Sequence, residues 1–98
     1  MKVKNFYFGE HYYNDLINGI SYYKEIDFDL GTRFYTKVEE AVEEVKLNPI
    51  AFPKKKYHLR ENLIKKFPYI LYYRIDGENL YFLTIACAIK KPYYWLKE

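Results

Sequence analysis

Between residues 51 and 74 the chain carries seven basic side chains and one acidic one, a local charge of +6. Arg60, Lys65, Lys66 and Arg74 fall in this stretch, and Lys90 lies beyond it. Positive groups at this density suit an anionic partner, either nucleic acid or an acidic peptide. They can also stabilise charge that develops on a phosphate, provided other groups move the protons. A solvated basic edge that protects a sheet from aggregation accounts for the same residues without any chemistry. Lys54-Lys55-Lys56 is a solvated loop on that bland reading, and a source of electrostatic steering on the functional one.

Proton-transfer groups are scarcer. His11 stands at the start of a helical pattern, where histidines are usually surface residues. His58 sits two residues before Arg60, inside the basic stretch. Their separation gives no metal-ligand spacing, so no metal and no cofactor is expected. Cys87 lies near the end of an apolar run and reads as an inert buried thiol, because no neighbouring base can be assigned to it. Tyr93 or Tyr94 could donate a proton, and nothing in the sequence selects between them.

The elements that must position these groups follow from periodicity. Residues 2–8 alternate polar and apolar, which predicts a strand that Gly9 ends. Tyr13, Leu16, Ile17, Ile20 and Tyr23 fall on one helical face over residues 10–26, with Asn18 and Gly19 weakening the middle. Asp29 is a candidate cap for a second helix. There Phe34, Val38, Ala41, Val42 and Val45 form the apolar stripe, opposite Glu39, Glu40, Glu43 and Glu44. That helix should stop at Asn48-Pro49, since a residue before proline avoids helical angles. Period two then takes over, with strands expected at 57–60, 63–67, 69–75 and 79–88. Glu61-Asn62 and Asp76-Gly77-Glu78 are the expected turns, and Pro92 closes the last strand region.

This order predicts an α+β fold: an N-terminal strand, a two-helix hairpin, then an antiparallel sheet of three to four strands. The helices should cover one sheet face. On the strand at 69–75, Leu71, Tyr73 and Ile75 should face the core, and Ile70, Tyr72 and Arg74 the open side. On the last strand both alternating sets are apolar, which suits a central strand buried on two sides.

Length and composition bound the rest. Ninety-eight residues suit one domain spanning 1–98, and 50% hydrophobic residues can supply its core. The single cysteine cannot form an internal disulfide, which fits a reducing compartment. No signal-peptide pattern and no run of roughly 20 apolar residues is present, so a cytoplasmic, membrane-free location is expected. Thirteen tyrosines and seven phenylalanines serve either a small core of large rings or a recognition surface.

Several strings in order resemble the RelE/ParE toxin superfamily, and its ParE-like, plasmid-stabilisation branch in particular. They are Tyr22-Tyr23, the helix Phe34–Val45 running into Leu47-Asn48-Pro49 and Phe52-Pro53, Leu59-Arg60, and Lys66-Phe67-Pro68-Tyr69 followed by Tyr72-Tyr73. The series ends at Cys87, Lys90, Pro92 and Trp95. The resemblance implies the toxin of a type II toxin–antitoxin pair, bound by a cognate antitoxin, with DNA gyrase as the target of ParE-like members. RelE-like members are ribosome-dependent endoribonucleases acting on messenger RNA, which is the alternative. A non-toxic relative that only binds its antitoxin is a further one. The resemblance places target or antitoxin contacts at Arg60, Lys65, Lys66, Tyr72, Arg74, Lys90 and Trp95. If the chain is a ribonuclease, Arg60, Lys66, Arg74 and Lys90 are the catalytic candidates. Two departures argue against that chemistry. Cys87 stands at the family's histidine position, and Lys90 at an arginine position, where the bidentate fork is lost.

Overall fold

In a computed structural model, residues 2–90 and 93–96 are described. The elements run β1 (Asn5–Phe8), α1 (Glu10–Ile26), α2 (Phe28–Leu47), a short 3-10 turn at Lys56–His58, β2 (Arg60–Leu63), β3 (Tyr69–Asp76) and β4 (Asn79–Cys87). The strands form one sheet in the order β1-β4-β3-β2. β2, β3 and β4 pair antiparallel, as expected from their short connections. β1 instead lies parallel to β4, with Asn5 opposite Asn79 and Phe8 opposite Phe82. The crossover that a parallel pair requires is the helical hairpin itself.

The α2 stripe is as the spacing predicts: Phe34, Val38, Ala41, Val42 and Val45 are all buried. Fully burying a valine or phenylalanine side chain such as these contributes roughly 1.5–3 kcal/mol. The helix stops with Asn48 in an extended conformation before Pro49. At its other end it begins at Phe28, with Asp27 and not Asp29 in the capping position. Asp27 serves both helices through its backbone. Its N–H donates to Tyr23 O, and its carbonyl accepts from the N–H of Leu30.

The buried face of α1 is rotated from the expected one. Tyr12, Leu16 and Gly19 are buried, with Ile20 and Tyr23 packed against the core, whereas Tyr13 and Ile17 are 51% and 60% exposed. Gly19 sets this rotation. A Cβ there would lie 2.4 Å from Cε2 of Phe34, so only glycine lets that ring seat against α1. Phe34 is then enclosed by Tyr23, Phe67 and Tyr69 at 4.9–5.2 Å between ring centroids of neighbouring pairs.

The strand boundaries also shift. Glu61-Asn62 is not a turn but the middle of β2, and residues 64–68 link it to β3. Asn62 can occupy a strand because its amide donates to Ala41 O and to Glu44 Oε1, both at 3.1 Å on α2. The Asp76-Gly77-Glu78 hairpin is present, with Gly77 at a positive φ of 62°. β4 lies between β1 and β3, and Phe82, Thr84, Ile85 and Ala86 are buried. The register slips between Tyr72 and Tyr73, which pair with Thr84 and Phe82 and leave Leu83 as the extra residue. The slip exchanges the faces of β4, so Leu80, Phe82 and Ile85 all point to the helices. Asp15 of α1 pins this irregular point by accepting hydrogen bonds from the Thr84 hydroxyl and the Ile85 N–H.

Candidate functional site

Facing away from the helices, the sheet presents Glu61 of β2, Ile70, Tyr72 and Arg74 of β3, and Leu83 and Ala86 of β4. This second face is not open throughout. The segment Tyr93–Leu96 folds back over it, and Tyr94 Oη accepts a hydrogen bond of 3.0 Å from the Cys87 N–H. The Trp95 ring packs on Tyr72 at 5.0 Å, and Tyr93 packs on both Tyr72 and Tyr57. Tyr72, expected on the open side, is therefore only 4% exposed and anchors a second small core with Leu59 and Ala86. Pro92 lies outside the described residues.

Between this strap and the sheet runs a cleft of about 190 Å³, walled by Glu61, Tyr72, Cys87, Lys90, Tyr93 and Tyr94 among others. Tyr93, which lines it, and Tyr57 and His58 of the turn that packs on Tyr93 have φ near 60°, in the left-handed region that residues other than glycine rarely adopt. Strain of this kind persists only where surrounding contacts hold it, and it collects at functional sites. Burial pushes the Tyr72 phenol up to about 12, with the Glu61 carboxylate adding to the effect. At neutral pH Tyr72 is thus a neutral ring with a hydroxyl, not a base.

The cationic candidates do not converge on the cleft. Arg60 faces the helix side, where its guanidinium donates to Phe52 O at 2.7 Å and to Ile50 O at 3.4 Å. Tyr73, its neighbour across the pair, donates its hydroxyl to Pro49 O, so the two together clamp the loop after α2. Lys65 is paired with Glu44 at 2.9 Å, and this contact lowers the Glu44 pKa and raises that of Lys65. Lys66 is exposed in the β2–β3 link with φ of 71°. Arg74 is on the second face but nearer its other end, 5.8 Å from the Tyr81 ring, which in turn stacks on Tyr7 at 5.3 Å. Lys90 alone of the cations lines the cleft, with its ammonium 4.8 Å from the Tyr94 ring. Tyr72, Lys90 and Trp95 are thus the expected site residues that meet.

Glu61 is the cleft residue that sequence reasoning missed, because it was assigned to a turn. Its signal was available in the alternation of β2: with Arg60 and Asn62 bound to the helix side, Glu61 must face the other way. Cys87 is half-buried at the cleft wall and not sealed in the core. His11 is exposed at the start of α1, and His58 is exposed in the 3-10 turn. Among the described residues no three His, Cys, Asp or Glu side chains gather where they could hold a metal ion. Among them, too, no helix is long and apolar enough to cross a membrane.

No protein-family model matches the sequence, and no curated protein matches it either. The structure is similar to a solved chain described as the chromosomal ParDE TA system from P. aeruginosa. The TM-score is 0.76 at 15% sequence identity, over 87% of this chain and 96% of that one. At that identity the likeness is one of fold, and it meets the α+β arrangement that the RelE/ParE resemblance implies.

Proposed function

We propose that this fold serves as the toxin of a type II toxin–antitoxin pair, that it acts by binding, as ParE-like members do, and that DNA gyrase is its target. The dispersal of the cations carries the binding reading. Cleaving RNA through its 2′-hydroxyl requires a base, an acid and cations around one phosphate. Here Arg60 is taken up by backbone carbonyls, Lys65 by Glu44, and Arg74 stands beside Tyr81 away from the cleft. The shared fold with a ParDE chain supports the toxin–antitoxin setting and a cognate antitoxin as partner.

The test is brief induction in bacteria without antitoxin, with growth and new messenger RNA 5′ ends followed together. Purified protein at micromolar concentration is assayed in parallel against gyrase supercoiling. Growth arrest with inhibited supercoiling and no new ends inside codons is the expected result. Untouched supercoiling would remove gyrase as the target. Fresh cuts inside translated codons would replace the binding reading with the ribonuclease one, which the cleft's carboxylate, phenols and ammonium favour. Continued growth with soluble protein would leave a relative that only binds its antitoxin.

A further inference from the structure

The cleft on the second face holds one carboxylate and one ammonium, and neither Glu61 nor Lys90 enters an ion pair with another described residue. Its remaining walls are tyrosine rings and apolar side chains. We propose that the cleft binds the guanine base of a nucleotide or of single-stranded RNA. Glu61 accepts hydrogen bonds from the N1–H and the 2-amino group, and Lys90 donates to O6 or N7.

Size, charge and wall chemistry together suit this ligand. A space of about 190 Å³ is below the roughly 300–1,000 Å³ of pockets that enclose whole drug-sized ligands, so it admits one ring system. Tyr72, Tyr93 and Tyr94 supply ring surfaces of the kind on which unstacked bases settle. The opposed charges disfavour simple ions. Lys90 repels a cation that the tyrosines and Glu61 would otherwise attract, and Glu61 repels a bare anion. A neutral heterocycle with donors along one edge and acceptors along another satisfies both groups.

Both groups reach the same space. Glu61 of β2 and Lys90, which follows β4, line the cleft together, with Ile70 and Tyr72 of the intervening β3 between them. Guanine offers N–H donors on adjacent atoms together with the O6 and N7 acceptors. Adenine and cytosine each present one amino group beside a ring acceptor, which would face the carboxylate unfavourably.

The rim suits the phosphates such a base carries. Lys54-Lys55-Lys56 leads directly into Tyr57, whose ring meets Tyr93 edge-on at 5.5 Å, so the basic turn borders the cleft.

This inference goes beyond the toxin reading and does not depend on it, because its test reads binding and not growth or supercoiling. The chain's one tryptophan, Trp95, lies against Tyr72 and reports on the cleft by its fluorescence. The intact protein is titrated with guanosine, inosine and adenosine monophosphates, and with short oligouridylates carrying one central guanosine or adenosine. Guanosine monophosphate should bind at least tenfold tighter than the adenosine form. It should also bind about tenfold tighter than the inosine form, which lacks only the 2-amino group. Glu61→Gln should abolish both preferences while keeping the near-ultraviolet dichroism of the wild type. An oligonucleotide with guanosine that binds tenfold or more tighter than the mononucleotide identifies RNA as the source of the base, and equal affinities identify the free nucleotide. Equal affinity for the three mononucleotides would overturn the proposal, as would an unchanged preference in Glu61→Gln or no saturable signal at millimolar concentration. The inosine comparison uses only wild-type protein, so a poorly folding variant does not protect the idea.

Discussion

Arg60→Ala separates a structural arginine from a catalytic one. The guanidinium makes one short, charge-assisted bond to Phe52 O at 2.7 Å and a long one to Ile50 O at 3.4 Å. A hydrogen bond to a charged group is worth about 1.5–3 kcal/mol. The 3.4 Å bond is exposed and adds little, and the site is only partly buried, so about 2 kcal/mol is the expected loss. For a domain of this size each kcal/mol moves Tm by roughly 4–8 °C, giving a fall of about 8–16 °C. Arg60→Lys keeps the charge but not the fork, and should recover less than half of the loss. Thermal unfolding followed by circular dichroism gives the number. Limited proteolysis should show cleavage moving into residues 49–56, the loop that Arg60 and Tyr73 clamp. A normal Tm and an intact loop in Arg60→Ala would refute this reasoning. Loss of toxicity in such a stable variant would return Arg60 to the list of residues that touch the target.

Other expectations follow from particular contacts. Gly19→Ala should destabilise by about 2 kcal/mol despite the roughly 1 kcal/mol gain in helix propensity, because its Cβ would collide with the enclosed Phe34 ring. A urea midpoint above wild type would show that the ring can move aside. Glu44 has a folded pKa below its unfolded value, so its pairing with Lys65 and Asn62 stabilises the fold above the unfolded value. That stabilisation is lost as pH falls through the lowered folded pKa. Glu44→Gln should therefore cost about 0.5–1 kcal/mol at pH 7 and very little near pH 3, read from urea midpoints at the two pH values. Trp95 Nε1 is buried with no hydrogen-bond partner among the described residues. Trp95→Phe should thus leave stability within about 0.5 kcal/mol, whereas Trp95→Ala, which uncovers Tyr72, should lower it by about 2–3 kcal/mol.

The parts legible in the sequence are those in which one local signal decides. The α2 stripe has valines, a phenylalanine and an alanine on one face and glutamates on the other, so a single orientation satisfies it. α1 has tyrosines at 12 and 13, and hydropathy cannot tell which is inside. The choice is made by Phe34 of the other helix, which needs the space over Gly19. Glu61-Asn62 reads as a turn because both residues are polar. Asn62 is nevertheless buried, since α2 brings Ala41 O and Glu44 to its amide. On β4 the alternation is broken by the extra residue Leu83, so no strict period-two pattern existed to be read. The parallel pairing of β1 joins residues over 70 positions apart, which adjacency rules do not reach. The candidate site suffers most from this, because Glu61, Lys90 and Tyr93 are assembled by register and by a returning strap.

The placement of β1 beside β4 bears on how the chain folds as it is made. The two helices are complete by residue 47, but α1 packs on β4, the last strand among the described residues to be synthesised. At translation rates of about 5–20 residues per second, the 71 residues from Phe8 to Asn79 take roughly 4–14 s to appear. Until then β1 has no edge to join, and α1 lacks the strand it packs against. Closing such a sequence-distant pair carries a loop-closure cost that the local β2–β3 and β3–β4 pairs do not, so β1 joins the sheet late. Released chains truncated before Asn79 should therefore remain open to chaperones and proteases, and those that extend beyond Cys87 should become resistant.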